Sequence, residues 1–377
     1  MKFCDIPGHD DVKDRLRALV DDNRLPHALL LQGPEGSAKF ALARAFAQYI
    51  HCTDRHDGDS CGRCPSCLQM KSFNHIDTIF SFPVVKAGSG GTTLCNDYIR
   101  EFMRFIDESP WMDFDTWLDM LGNPNTMPQI YADEGSELIR RLSFTSHASR
   151  YKTALMWMPE RLHESCANKI LKLVEEPFAD TVFIMASDNP RGILPTIYSR
   201  VQRIDVPRYS DDEVARWLTD KGYCTEPTMA RDTARLSEGS LNRAVQLSCG
   251  QDDAKCDFFD RFVSLMRLAY VRDIAALKKW SADLAAEKRE TQIRFLDYCA
   301  RMLRENFIYN LHDPALNLQT RQESDFSVRF ARFITEKNAP ALFGVFSDAR
   351  NDIARNANGK IVFFDICLSV ILMLKNG

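Results

Sequence analysis

The stretch Ala28–Ile50, ALLLQGPEGSAKFALARAFAQYI, decides the fold. Ala28–Leu31 is a short apolar run of the kind that forms a buried strand. Gly33-Pro34-Glu35-Gly36-Ser37 makes a turn, and the helix after it carries Leu42, Phe46 and Ile50 on one face. Strand, glycine turn and helix are the setting of a phosphate-binding loop. There, backbone N–H groups and a helix N-terminus cradle phosphates, and a lysine reaches the β/γ-phosphates. The spelling departs from G-x-x-x-x-G-K-[ST]. Gly33 and Lys39 stand in register, but Ala38 replaces the second glycine and Phe40 the hydroxyl that would hold Mg2+. The stretch is a degenerate phosphate loop, with Gly33, Gly36 and Lys39 as its candidate nucleotide contacts, or else an ordinary βα turn. Either way it is a poor ATPase site and a weak case for bound ATP.

Working outward, Asp10–Asn23 has the pattern of an amphipathic helix. After the loop helix, Cys52, Cys61, Cys64 and Cys67 are spaced C-x8-C-x2-C-x2-C, with Gly58, Gly62, Pro65 and Ser66 supplying turns. Four thiolates at that spacing predict a closed, structural Zn2+ knuckle. The alternatives are four unliganded thiols or a redox C-x2-C pair, and no thioredoxin-like pattern supports the latter. The other eight of the twelve cysteines are scattered singly, as small core hydrophobes are.

Ile76–Val85 has the composition of a strand. From Pro83 to Glu137 there are ten acids against three bases, so this part is an acidic block. It begins with a flexible Gly88–Gly91 stretch, continues in a helix near Cys95–Asp107, and sets Trp111, Phe114, Trp117 and Leu118 at helical spacing. Residues 83–128 are then an inserted helical hairpin packed on the domain, or an arm that docks a partner. Gln129–Ala132, a helix Gly135–Ser146, strand Thr153–Met158, helix Ser165–Glu175, strand Thr181–Ala186 and strand Val201–Val206 alternate as a covered parallel sheet does. In P-loop ATPases the strand opposite the loop ends in acids that hold Mg2+ and polarise water. Here that end is Trp157-Met158-Pro159-Glu160, and Glu160 is a helix N-terminal charge.

After Pro207 the pattern turns helical. Ser210–Glu213 is a capping box, and three helices form a small lid through Cys249. About five more helices follow from Asp252. The last, Lys360–Lys375, is apolar almost all round, as a helix buried in its own bundle or against other subunits would be.

With 377 residues the chain is long enough for two or three domains, and its net charge of −4 argues against a strongly basic nucleic-acid binder. It has no apolar run of about 18 residues and no signal-peptide core at Met1, so a cytoplasmic protein is expected.

Together LPHALLLQGPEGSAK, the cysteine spacing, NKILKLVEEP and LPTIYSRVQR resemble bacterial clamp-loader subunits of the AAA+ class. The resemblance covers roughly 1–80 and 129–250. It implies an α/β P-loop (AAA+) core over 1–206, with a zinc module at 52–67 and the acidic insertion 83–128. A three-helix lid over 207–250 and a helical collar over 251–377 follow. The catalytic gamma/tau type keeps an intact loop and strand-end acids. Here Phe40, Trp157 and Met158 depart from it, and Asn242, beside Arg243, stands where a sensor arginine belongs, so the chain is nearer the delta-prime type. That likeness implies no intrinsic ATPase and gives Arg200 of Ser199-Arg200 the role of an arginine finger in trans. Its partners would be gamma/tau-type motor subunits and a delta-type subunit in a heteropentamer of the DNA polymerase III holoenzyme, which sets the sliding clamp on primed DNA. The competing expectations are an active gamma/tau-type ATPase and, further off, a zinc-containing nucleic-acid binder.

Overall fold

The computed structural model describes residues 1–86, 92–122, 127–249, 253–312 and 316–375, which form two compact units, Met1–Cys249 and Gly250–Gly377. The first opens with α1 (Asp10–Asp21), β1 (Ala28–Gln32), α2 (Lys39–His51), α3 (Pro65–Lys71) and β2 (Thr78–Ser81). Three helices follow, α4 (Ile99–Glu108), α5 (Phe114–Met120) and α6 (Ala132–Leu142). Then come β3 (Lys152–Trp157), α7 (Glu164–Glu175), β4 (Thr181–Ser187), a single turn α8 (Pro195–Tyr198) and β5 (Gln202–Asp205). Helices α9 (Asp211–Asp220), α10 (Pro227–Ser237) and α11 (Leu241–Ser248) complete the unit.

The five strands form one parallel sheet in the order β2-β3-β4-β1-β5. Central strands β3 and β4 are buried along their whole length, as a sheet covered on both faces requires. The register sets Gln32 beside Ser187 and Trp157 beside Ala186, so β1, β3 and β4 end level. The residues just past them therefore share one edge of the sheet.

Two details differ from the sequence expectation, and the inserted segment takes one of its two expected forms. The strand expected over Ile76–Val85 covers only Thr78–Ser81, because Pro83 has no N–H to continue a ladder, and Val84 makes an isolated bridge with Gln129. Helix α2 is buried on every side, not on one face. On one side it meets α1, α3 and the turn Phe3–Asp5, on the other β3 and β4, and Phe102 of α4 stands edge-on to Phe40. The described part of 83–128 packs into the domain. Phe82 stacks on Phe102, Trp117 is edge-on to both, and the Trp117 indole N–H donates to the Pro83 carbonyl at 2.8 Å. The Gly88–Gly91 stretch lies outside the described residues.

The second unit holds α12 (Asp253–Val271), α13 (Ile274–Ala285), α14 (Arg289–Tyr309), α15 (Arg321–Phe330), α16 (Ala339–Ala354) and α17 (Gly359–Lys375). That is one helix more than expected, because a capping box between Thr320 and Glu323 starts α15. Helix α17 buries Phe363, Ile366, Cys367 and Val370 in this unit, while Ile361 and Leu372 are 70% and 64% exposed. Among the described residues no helix is long and apolar enough to cross a membrane.

Candidate functional site

The phosphate loop is closed by protein. A Cβ on Gly33 would lie 2.1 Å from the Val206 carbonyl oxygen, and one on Gly36 would lie 2.0 Å from Ser240 Oγ. Gly33 is thus required by backbone packed against it, and Gly36 by the Ser240 side chain and by its own left-handed φ of 75°. The Leu241 N–H, at the start of α11, donates to the Gly36 carbonyl at 3.3 Å. Lys39 has a side chain only 4% exposed. Its Nζ pairs with Asp188 Oδ1 at 2.6 Å and donates to Ser37 Oγ at 3.1 Å and to the Pro34 carbonyl. A carboxylate therefore neutralises the cation that a phosphate would need. Asp188 follows β4, and Glu160 fixes its turn by accepting the N–H groups of Asp188 and Asn189 at 3.0 and 3.1 Å. Burial raises the Glu160 carboxyl above the usual range.

Each position that looks like a loss in the sequence is a packing position here. Phe40 is buried against Phe102, with ring centroids 6.0 Å apart. Trp157 meets Phe102, Phe105 and Phe114 at 6.0, 5.4 and 6.2 Å. Trp111 and Met112 reach the loop itself. Between them, Lys39, Phe40, Trp157 and Asp188 a cavity of about 10 Å3 remains, about one water. Small-molecule sites take roughly 300 Å3 or more. Ala38, Met112 and Met158 around this space all have left-handed backbone, with φ of 59°, 61° and 58°. Non-glycine residues hold that conformation where the surroundings fix it.

The same inserted segment is tied to the three-helix segment. Gln246 Nε2 donates to Asp113 Oδ2 at 3.0 Å, and Trp111 stands edge-on to Trp217 at 5.6 Å. Arg243, beside Asn242, is paired with Glu238 at 2.7 Å. His9 lies on Tyr209, and its Nε2 is 3.1 Å from the Ser37 carbonyl. Burial pulls the His9 pKa down to about 4, so the ring is neutral and Nε2–H donates to that carbonyl.

Arg200 lies elsewhere. It precedes β5, whose Gln202 pairs with Leu29 near the start of β1, so it stands at the sheet edge opposite the phosphate loop. Its backbone is anchored by a 3.0 Å bond to the Ile197 carbonyl and by the buried Val201. The guanidinium is exposed, pairs with Glu175 at 2.8 Å, and donates to the Thr196 carbonyl at 2.8 Å.

The four cysteines come together. The Sγ atoms of Cys52, Cys61, Cys64 and Cys67 lie within 4.8 Å of one another, Cys61 and Cys67 at 4.0 Å, and none is in a disulfide. Backbone N–H groups of Cys61, Cys64 and Cys67 donate to the sulfurs of Cys52, Cys61 and Cys64 at 3.3, 3.3 and 3.5 Å. Sulfurs gathered by N–H donors suit thiolates, and a tetrahedral metal with ~2.3 Å bonds needs sulfur separations close to these. The cluster can hold a metal ion. His51 and His75 are engaged elsewhere, His51 with Ser149 Oγ at 2.6 Å and Thr153 Oγ1 at 2.9 Å, and His75 with Thr78 Oγ1 at 3.3 Å.

Sequence reasoning missed Asp188 and Met112 altogether, and named Trp111 only as an aromatic of the insertion, not as a residue of the cleft. An acid directly after the strand beside β1 was the available signal for Asp188; for the other two there was none short of the fold.

Residues 8–210 match the family described as DNA polymerase III, delta subunit. DNA polymerase III subunit delta' of Escherichia coli (strain K12) is 26% identical over 372 residues, 97% of this chain and 94% of that protein. DNA polymerase III subunit tau/gamma of Haemophilus influenzae is 22% identical over 380 residues, 95% of this chain and 48% of that protein. The chain thus spans about half the length of the tau/gamma relatives it matches. Among solved structures, the Holliday junction branch migration motor RuvB of Thermotoga maritima is similar at a TM-score of 0.40 and 15% identity, over 82% of this chain and 79% of that one.

Proposed function

The chain belongs to the family of DNA polymerase III delta subunits, as a clamp-loader subunit of the delta-prime type, and from that premise we propose that it works without hydrolysing ATP. Its own chemistry would be Arg200, given in trans to the ATP of a neighbouring gamma/tau-type subunit. One observation carries this reading: Arg200 is an exposed guanidinium on a fixed backbone, at the sheet edge away from its own loop. The strand between the two edges is ~15 Å long, too far for one side chain to serve both. A guanidinium is always charged, and its planar fork fits phosphate oxygens. Held against a transferring phosphoryl group, it would stabilise the charge that develops there. The pair with Glu175 is a surface ion pair, worth about 1 kcal/mol or less, and exchanges readily for phosphate.

The rest of the reading follows the same family. Cys52, Cys61, Cys64 and Cys67 would hold structural Zn2+, whose binding free energy adds to folding. Residues 207–250 would act as the lid and 251–377 as the collar of a heteropentamer with motor and delta-type subunits, which handles the sliding clamp and primed DNA. Exposed Ile361 and Leu372, and a groove of about 760 Å3 that includes Phe259, Tyr270 and Phe326, favour an assembly surface on the second unit.

The test is Arg200→Ala in the reconstituted complex. Clamp- and DNA-stimulated ATPase at the adjoining subunit should fall by about 10³-fold or more, with assembly intact. Arg200→Lys should recover little. Wild-type ATPase and clamp loading in the mutant complex would leave Arg200 as a surface partner of Glu175. Elemental analysis should find about one Zn2+ per chain, lost on Cys64→Ser.

A further inference from the structure

We propose that the inserted segment 92–122 is a built-in occupant of the phosphate-loop cleft, which holds the loop and the three-helix segment closed with no nucleotide bound. The insertion and the degenerate motif positions form one fitted surface. Phe40, in place of the Mg2+-binding hydroxyl, abuts Phe102, and Trp157, in place of a strand-end acid, abuts Phe102, Phe105 and Phe114. Trp111 and Met112 then fill the cleft to a residue of about 10 Å3.

The cation of the cleft is matched by protein as well. Lys39 takes the Asp188 carboxylate where a phosphate-binding lysine takes an anion from solution. The loop and α11 face each other across the cleft and are joined there. Here the insertion makes that connection. Trp111 sits between the loop and Trp217, and Asp113 accepts from Gln246 of α11, while Leu241 N–H closes onto Gly36. A bound nucleotide can be exchanged and can report its own hydrolysis. A covalently attached occupant at high effective concentration can do neither, so the loop is fixed in one state.

The proposal deepens the non-hydrolysing reading above and requires nothing of Arg200. It is tested on the full chain with two measurements, acylation of Lys39 by an acetyl N-hydroxysuccinimide ester and amide hydrogen exchange across 33–39 and 241–248. In the wild type, Lys39 should react about tenfold or more slowly than exposed lysines. Millimolar Mg·ATP or inorganic pyrophosphate should change neither measurement. Trp111→Ala should raise both the Lys39 reactivity and the exchange of both segments about tenfold, with the 253–375 peptides unchanged. Lys39 reacting like a surface lysine, protection by ATP or pyrophosphate, or unaltered exchange in Trp111→Ala would each overturn the proposal. The wild-type measurements decide by themselves if Trp111→Ala fails to fold, and Gln246→Ala gives a second variant, in which faster exchange confined to 241–248 is expected and none counts against it. A wild-type chain that binds ATP but does not hydrolyse it would sink the occupant and leave the non-hydrolysing role standing.

Discussion

Lys39 and Arg200 sit at opposite edges of one sheet, flanking the neighbouring strands β1 and β5, and each is paired with a single carboxylate. The surroundings make them different. The Lys39–Asp188 side chains are 4% and 21% exposed, the Arg200–Glu175 side chains 42% and 40%. A pair shut away from water is costly to break and unavailable to an outside anion, whereas a pair in water trades partners at little cost. The motif lysine is thus a structural cation, while the Arg200 guanidinium stands in water, where it can trade its carboxylate for another anion.

Three single changes, the first with a double variant as its control, test that contrast in falling order of effect. Asp188→Asn leaves Lys39 without its counter-charge in a closed space and should cost about 2–3 kcal/mol in urea unfolding. Lys39→Met/Asp188→Leu, which removes both charges, should return to within about 1 kcal/mol of wild type. A double variant as unstable as Asp188→Asn would mean that the charge pair itself is needed.

Next is His9, which holds the loop through the Ser37 carbonyl. Its folded pKa, about 4, is below the ordinary value of 6.5. Between those values the unfolded chain binds the extra proton, so the stability from neutral His9 is complete above pH 6.5 and is lost as pH falls towards 4. Over that window the loss should be roughly 2 kcal/mol. His9→Gln should lack this component, so the wild-type advantage over it should shrink on acidification. A constant difference at pH 7 and pH 4.5 would contradict the shift. The smallest effect should be that of Glu175→Gln, about 1 kcal/mol or less, because its partner stays solvated. A loss as large as that of Asp188→Asn would erase the distinction between the two pairs.

The parts legible in the sequence are those whose information is local. The central strands are contiguous apolar runs, and the Ser210–Glu213 capping box forms as its residues predict. The cysteine cluster closes because two turns bring its sulfurs together within sixteen residues of chain. The closed cleft was not legible. It joins residues near 36–40, 111–113, 157, 188 and 240–246, far apart in sequence, and each is unremarkable alone. Phe40 and Trp157 could be read only as what they are not, a hydroxyl and an acid, because what they touch arrives from an insertion whose helical spacing does not say which surface it covers. The wrapping of α2 escaped for a related reason. Apolar residues run all round KFALARAFAQYIH, but a one-sided stripe is the simpler reading until Phe102 is seen to cover Phe40.

The burial of α2 on every side also bears on how the chain is made. A ribosome delivers this helix early, before β3, β4 and the inserted aromatics that enclose it. At about 5–20 residues per second, the wait from His51 to the end of β4 lasts on the order of 10 s. For that interval the nascent chain carries an apolar helix whose covering strands have not yet emerged, a natural client for a holding chaperone and a seed for aggregation. Synthesis of this subunit should therefore be more sensitive to chaperone supply than its finished stability suggests.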